Sequence, residues 1–258
     1  MIKFKLFDSN EKKLSRIALK WLKQDSRGKE YLKLFKLAAS FNYEIIKDFS
    51  KKETDDQLTI KYLGSRIFNF GIISYRAAIS GYYQVSFSLM REFIESHFLL
   101  DYFRSNPTEI GRWKNSDDKT RKKDFSPYQL YTKLDKRDQY TGEQRKQQYQ
   151  LFCENAAHAS YKGFKLLTNS TNQIETGYFL DEKKLLNSMV ELSKRYGVVT
   201  LALIPILSMG GLIAINSEIK LLRQFQKLFG SDLTLKSNRN LISLLMKQKR
   251  VLKKSASH

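Results

Sequence analysis

Cysteine, proline and glycine are all scarce in this sequence of 258 residues. The single cysteine, Cys153, has no partner for an internal disulfide, and zinc modules that need several cysteines are excluded. Only 3 prolines and 12 glycines are present, so long helices are favoured over a turn-rich sandwich or barrel. The first residues are charged and contain no apolar run before a small-residue cleavage site, so we expect a cytoplasmic protein rather than an exported one.

Acidic residues are few relative to basic ones. The chain has 46 lysines and arginines against 26 aspartates and glutamates, which gives a net charge of +20. Residues 220–258 hold ten basic residues and one acidic residue, so a large part of the excess is concentrated there. Such a surplus is not neutralised within the protein, and it predicts an anionic partner.

Apolar residues recur at helical spacing through most of the chain, of which 41% is hydrophobic. We expect a first helix that begins at Asp8, where Glu11 completes a capping box, and that ends at Gly28. A second amphipathic helix is expected over residues 30–49.

Later helix boundaries are marked by capping residues, glycine and proline. Residues 56–104 are too long for one ordinary helix, and we place the break at Ser80 and Gly81. Other helix starts are indicated by Asn106 with Pro107, Ser126 with Pro127, Thr141 with Gln144, and Asp181. Residues 112–123 are strongly basic and are expected to form an exposed loop.

A run of 19 residues without a charge, GVVTLALIPILSMGGLIAI, covers residues 197–215. It is long enough for a membrane span, and its proline and glycines do not exclude one. Because the amphipathic helices need a common apolar partner, we favour a buried central helix and keep the span as the alternative. The expected fold is an all-α, single-domain, multi-helix bundle with a central apolar helix near residues 197–215. Its core covers about residues 10–230, and a basic helix follows over about residues 240–254.

Motifs for nucleotide-dependent and serine-hydrolase chemistry are absent from the sequence, which has no glycine-rich phosphate loop, dinucleotide fingerprint or nucleophile elbow. His97 and His158 are the two histidines within the expected core, and neither has the Glu-x-x-His spacing of di-iron bundles. We therefore expect no metal and no cofactor. A zinc site would have to be assembled in three dimensions from these histidines and a glutamate such as Glu92 or Glu154.

The segment LMREFIESHFLLDYF places charged residues in an otherwise apolar helix. Arg91 and Glu95 are four residues apart on one helical face and can pair there, with aromatic residues on either side. One interpretation is a structural salt bridge that fixes the helix register. The alternative is a catalytic group with three roles: phosphate binding by Arg91, proton transfer by His97 or His158, and orientation by Glu92 or Glu95.

The stretch SGYYQVSFSLMREFIESHFLLDYFRSNP, followed by YQLFCENAAHAS and an apolar helix, resembles bacterial all-helical proteins of the HEPN superfamily, including abortive-infection-like members. The resemblance covers residues 80–215. Ribonucleases of that superfamily carry an arginine and a histidine separated by four to six residues, and Arg91 and His97 have five residues between them. The resemblance implies metal-independent RNA cleavage in a phage-defence or toxin system, at a site shared by two subunits of a homodimer.

The spacing of Arg91 and His97 limits how one helix can use both side chains. Residues six apart lie roughly 240° around a helix from each other. Both can therefore face one substrate only if the helix is distorted or the site is shared between chains. Otherwise His158 is the relevant histidine.

A nucleic-acid-binding surface would use lysines and arginines to displace counterions from phosphates, and aromatic rings to stack bases. The expected contact residues lie in two basic segments: Arg112, Trp113, Lys114, Arg121, Lys122 and Lys123, and then Lys247, Lys249, Arg250, Lys253 and Lys254. Further rings for stacking are Tyr128, Tyr131, Tyr140 and Tyr149. We favour RNA as the partner. The alternatives are a non-catalytic nucleic-acid-binding or protein-interaction module, binding to an acidic membrane surface, and solvated lysines with no partner.

Overall fold

The computed structural model describes residues 4–47, 53–157, 161–207, 212–230, 245–247 and 249. The α-helices are α1 (Phe4–Gln24), α2 (Ser26–Lys47), α3 (Asp55–Ile79), α4 (Tyr83–Ser105), α5 (Glu109–Lys114), α6 (Asp118–Phe125), α7 (Pro127–Asp138), α8 (Gln144–Phe152), α9 (Tyr161–Phe164), α10 (Glu182–Leu207) and α11 (Leu212–Phe229). A π-helical turn follows α8 at Cys153–Ala157, and a 3₁₀ turn follows α9 at Lys165–Leu167. No β-strand occurs in these ranges, and the expected all-α bundle is confirmed.

Helix α10 is the centre of the bundle, where it packs against α2, α3 and α4. Tyr196 lies at the middle of this contact, with its ring 5.4 Å from that of Phe93 and 5.5 Å from that of Phe35. Gly71 of α3 permits this close approach, because a Cβ at that position would lie 2.9 Å from the Tyr196 ring. A tightly packed aromatic centre of this kind stabilises one arrangement of the surrounding helices.

The uncharged run 197–215 contributes to the central helix of the bundle, as expected, because residues 197–207 belong to α10. Its first part is the end of α10, which begins much earlier at Glu182, and its last part lies in α11. Residues 208–211 lie outside the described ranges. None of the helices in the described part of the chain combines the length and the apolarity that a bilayer crossing requires.

Three boundaries expected from capping residues are confirmed. Between α3 and α4, Gly81 has a φ of +82° and lies against the backbone of Phe179, where a side chain would clash. The Ser126 side chain accepts a hydrogen bond from the Gln129 N–H, with Pro127 as the first residue of α7. Asp181 accepts a hydrogen bond from the Lys184 N–H at 2.8 Å at the start of α10.

The expected limits of the first helix are wrong at both ends. Helix α1 is already helical at Phe4, so Asp8 lies inside it rather than at its start. The break after α1 comes at Asp25, whose carboxylate accepts a hydrogen bond from the Gly28 N–H at 2.6 Å and so caps α2. Gly28 does not end a helix. It lies in the first turn of α2, where a Cβ would lie 2.9 Å from the Leu22 carbonyl oxygen.

Residues 112–123 are not a loop, since they belong largely to α5 and α6. Asp117 caps α6 by accepting a hydrogen bond from the Thr120 N–H at 2.7 Å, which explains how so polar a segment becomes helical. Helix α8 has Glu143 rather than Thr141 at its cap. Most of the basic helix expected over residues 240–254 lies outside the described ranges, and residues 245–247 and 249 are helical.

Candidate nucleic-acid interface

The Arg91 cluster on α4 is a partly exposed ion-pair network. Arg91 Nε lies 3.1 Å from Glu95 Oε1, which confirms the expected pair. From α8, the Tyr149 hydroxyl donates a hydrogen bond to the same Glu95 oxygen at 3.1 Å. Glu92 accepts a hydrogen bond from Arg66 of α3 at 2.6 Å. Burial raises the pKa of Glu95, against the opposing effect of Arg91. Arg91 therefore pairs with a carboxylate of its own helix, and Tyr149 of α8 binds that same carboxylate.

His97 has different neighbours from Arg91. Helix α4 is unbroken from Tyr83 to Ser105, so the two side chains point about 120° apart around its axis. Burial lowers the pKa of His97 to about 4; Asp101 opposes the shift, and Arg145 and Arg195 add to it. No hydrogen bond joins the His97 imidazole to another residue of the described ranges. His158 lies outside those ranges, so the catalytic roles assigned to Arg91 and the histidines stay predictions.

We expect His97 to remain neutral in mildly acidic solution. The chemical shift of an imidazole carbon-bound proton reports its charge in NMR spectra, and comparison with His97→Gln assigns the signal. This shift should stay constant between about pH 8 and pH 5.5, because the pKa of His97 in the folded protein is about 4 instead of 6.5. The unfolded chain protonates at the higher value, so this group lowers stability as pH falls from 6.5 toward 4. A titration midpoint near 6.5 would show that His97 is solvated.

A second network, centred on Asp101, joins α4 to α7 and α8. The Asp101 carboxylate accepts hydrogen bonds from Arg137 at 3.0 and 3.2 Å and from Arg104 at 2.9 Å. Arg145 of α8 lies 3.9 Å from Asp101 and also pairs with Asp135 and Asp138. Since Asp101 is buried, this network is structural: it fixes two peripheral helices on the central α4.

Most of the cations expected at residues 112–123 have acidic partners. Arg112 pairs with Glu109 and Asp124, Lys114 with Asp55, and Arg121 with Asp118. Trp113 is partly buried, and its ring lies 5.7 Å from that of Phe103. Lys122 and Lys123 are exposed, and no acidic group in the described ranges pairs with them. The segment is thus less cationic than its sequence indicates.

The other expected contact residues differ in their exposure to solvent. Lys247 is exposed and Lys249 is partly exposed, whereas Arg250, Lys253 and Lys254 lie outside the described ranges. Tyr128 and Tyr140 are exposed. Tyr131 is buried and Tyr149 packs partly buried against the core, so these two rings offer less open surface for stacking.

Among the described residues, the clearest basic surface lies on α1, outside the two segments predicted from the sequence. We call it the α1 stripe: Lys5, Lys12, Lys13, Arg16, Lys20 and Lys23, all exposed. At 100° per residue these side chains fall within an arc of roughly 100°, and they extend over about 27 Å of helix. None of them forms an ion pair within the described part of the chain. Ala18 and Leu22 on the opposite face are buried.

The acidic residues of α1 do not neutralise this stripe. Glu11 accepts a hydrogen bond from the Tyr82 hydroxyl at 3.1 Å and is only partly exposed. Asp25, just after the helix, is used as the cap of α2. Asp8 is exposed at the edge of the stripe. The Ser15 and Ser80 hydroxyl oxygens lie 2.9 Å apart and share a hydrogen bond. This bond holds α1 against the end of α3 and so fixes the position of its cations.

A cavity of about 340 Å³ lies elsewhere, between α3, α5 and α6. Its lining consists of Asp55, Thr59, Tyr62, Leu63, Arg66, Trp113, Lys114 and Arg121. No group of three or more histidine, cysteine, aspartate or glutamate side chains in the described ranges could hold a metal ion.

Comparisons with protein-family models, with curated proteins and with solved structures find no match. The likeness to HEPN proteins therefore stays a prediction.

Proposed function

We propose that this protein binds nucleic acid, and most favourably RNA, through the α1 stripe. The observation that carries the proposal is the alignment of six exposed cations along one helix with no acidic partner among the described residues. In the basic segment 112–123, by contrast, Arg112, Lys114 and Arg121 pair with nearby carboxylates. A polyanion that lies along α1 would release counterions from several successive phosphates, which is the main source of affinity for nucleic acids.

The anchoring of α1 favours a nucleic acid over a lipid surface. A helix that lies in a membrane interface inserts its apolar face among the lipids. Ala18 and Leu22 of α1 are buried against the rest of the bundle, whereas Leu6 and Ile17 are exposed beside the stripe. Two isolated apolar side chains are not the continuous apolar face that insertion needs, so the stripe offers mainly charge, which is what a phosphate backbone needs.

RNA is favoured over DNA by the resemblance of residues 80–215 to HEPN proteins. Homodimer formation, cytoplasmic location and RNA cleavage are expectations from the sequence. Cleavage is not part of the proposal, because Arg91 is held by Glu95 and has a different environment from His97.

Binding should depend steeply on salt. If the six cations of the α1 stripe contact phosphates of a single strand, the logarithm of the binding constant should fall against the logarithm of salt concentration with a slope of about −4. Fluorescence anisotropy of a labelled single-stranded RNA between about 50 and 200 mM salt measures this slope.

Vesicles that contain an anionic phospholipid provide the comparison. We expect binding to RNA at salt concentrations where vesicle binding is absent. A salt response near zero would contradict the phosphate contacts, and tight vesicle binding without RNA binding would identify a lipid surface as the partner instead.

A further inference from the structure

We propose that the cavity between α3, α5 and α6 holds one unpaired nucleotide, an aromatic base with its phosphate, from a single strand of RNA. This inference rests on the proposed function and adds a substrate class to it. The cavity is not part of the α1 stripe: it is lined by the first half of α3, whereas α1 contacts Ser80 beyond the last residue of that helix.

The size of the cavity fits one nucleotide rather than a duplex. Its volume of about 340 Å³ is at the lower end of the range for small-molecule sites. A base in a duplex is stacked on both sides and paired at its edge, so it cannot enter such a cavity without leaving the helix. An unpaired base has a free face and a free edge.

Two aromatic residues give the cavity a surface on which a base can stack. Tyr62 is 65% exposed and makes no ring contact with another aromatic residue of the described ranges. Trp113 is held in place by the edge of Phe103, with ring centroids 5.7 Å apart. Neither the Tyr62 hydroxyl nor the Trp113 indole N–H donates a hydrogen bond to a residue described in the structure. The two rings therefore offer both a stacking face and donors for the edge of a base.

Three cations at the same cavity can receive the phosphate. Lys114 and Arg121 are paired with Asp55 and Asp118, whose side chains are 73% and 79% exposed. Ion pairs this exposed contribute little to stability, so a phosphate can replace the carboxylates at small cost. Arg66 pairs with Glu92 and lies over the Phe70 ring, 4.7 Å from its centroid, so its half-exposed guanidinium is held beside the cavity. Base stacking and phosphate binding thus come from adjacent side chains.

Tryptophan fluorescence tests the site directly. The chain has two tryptophans, so Trp21→Phe leaves Trp113 as the only reporter. We expect a short single-stranded adenine oligomer to quench Trp113, and a duplex of the same length to bind without quenching it. Adenosine monophosphate should bind much more weakly than the oligomer. Equal affinity for the monophosphate would overturn the assignment to an RNA strand and identify a free nucleotide as the ligand.

Substitution of Tyr62 provides a second measurement that does not depend on the tryptophan variant. Tyr62→Ala should weaken binding of the single strand roughly tenfold and leave duplex binding unchanged, because one stacked base is lost. Tyr161→Ala is the matched control, since that tyrosine is 84% exposed and does not line the cavity. If single strands and duplexes bind equally and Tyr62→Ala has no effect, while loss of charge on α1 still weakens binding, the cavity inference is wrong and the proposed function stands.

Discussion

Replacement of Lys12, Arg16, Lys20 and Lys23 by glutamine should lower the affinity for single-stranded RNA on the order of a hundredfold near 100 mM salt. Each lost phosphate contact removes about 0.7 from the salt slope, so the slope should become shallower by about 3. Fold stability should change little, because these side chains are exposed and make no ion pairs with other described residues. Anisotropy titrations at several salt concentrations measure both quantities.

A scattered variant separates the position of the charges from their number. Lys36, Lys136, Lys183 and Lys220 are exposed on four different helices, and their replacement by glutamine lowers the net charge by the same amount. We expect the scattered variant to lose less than about threefold in affinity, since its cations do not follow one strand. Equal losses in the two variants would mean that total charge, and not the α1 stripe, determines binding.

Asp101→Asn should lower the free energy of unfolding by about 3 kcal/mol, as is typical when one partner of a buried ion pair is removed. Asp101 is buried, and the substitution leaves Arg137, Arg104 and Arg145 with less compensating charge. Since Arg137 belongs to α7 and Arg145 to α8, those helices should exchange amide hydrogens faster than α10 in the variant. Urea denaturation and hydrogen exchange measure the two effects.

Asp118→Asn is the matched control for Asp101. Its pair with Arg121 is exposed, with 79% and 49% of the two side chains accessible, so less than about 1 kcal/mol should be lost. An equal effect of both substitutions would contradict the structural role of the Asp101 network.

The Asp101 network also predicts a dependence on acid. Burial by itself raises the pKa of Asp101, but the hydrogen bonds of Arg137 and the nearby charges outweigh burial and hold the pKa below its usual 3.8. This carboxylate therefore stabilises the fold fully above 3.8, and its contribution is lost as pH falls through the lower folded value.

The sequence predicts boundaries well where one residue determines the backbone locally. The break at Gly81 follows from a positive φ that glycine adopts readily, and the starts of α7 and α10 follow from side-chain caps at Ser126 and Asp181. The capping box at Asp8 was misleading, because the same residue types also occur within a charged amphipathic helix, and α1 continues through it.

Ion pairs between different helices could not be predicted from the sequence, since they depend on tertiary contacts, whereas the pair of Arg91 and Glu95 within α4 could be. Lys114 pairs with Asp55 from a different helix, 59 residues away. The basic segment around it therefore looks like a binding surface in the sequence, while part of its charge is neutralised in the fold. The α1 stripe did have a local signal, because basic residues recur at helical spacing from Lys12 to Lys23, opposite the apolar residues that indicate the helix.

Lysine footprinting is the most direct test of RNA binding by α1. Acetylation of the protein with and without single-stranded RNA, followed by mass spectrometry of peptides, compares each lysine with itself. We expect Lys12, Lys20 and Lys23 to be protected strongly and Lys36 and Lys183 to react as before. Even protection of all lysines, or protection confined to sites outside α1, would contradict the proposal that this helix holds the nucleic acid.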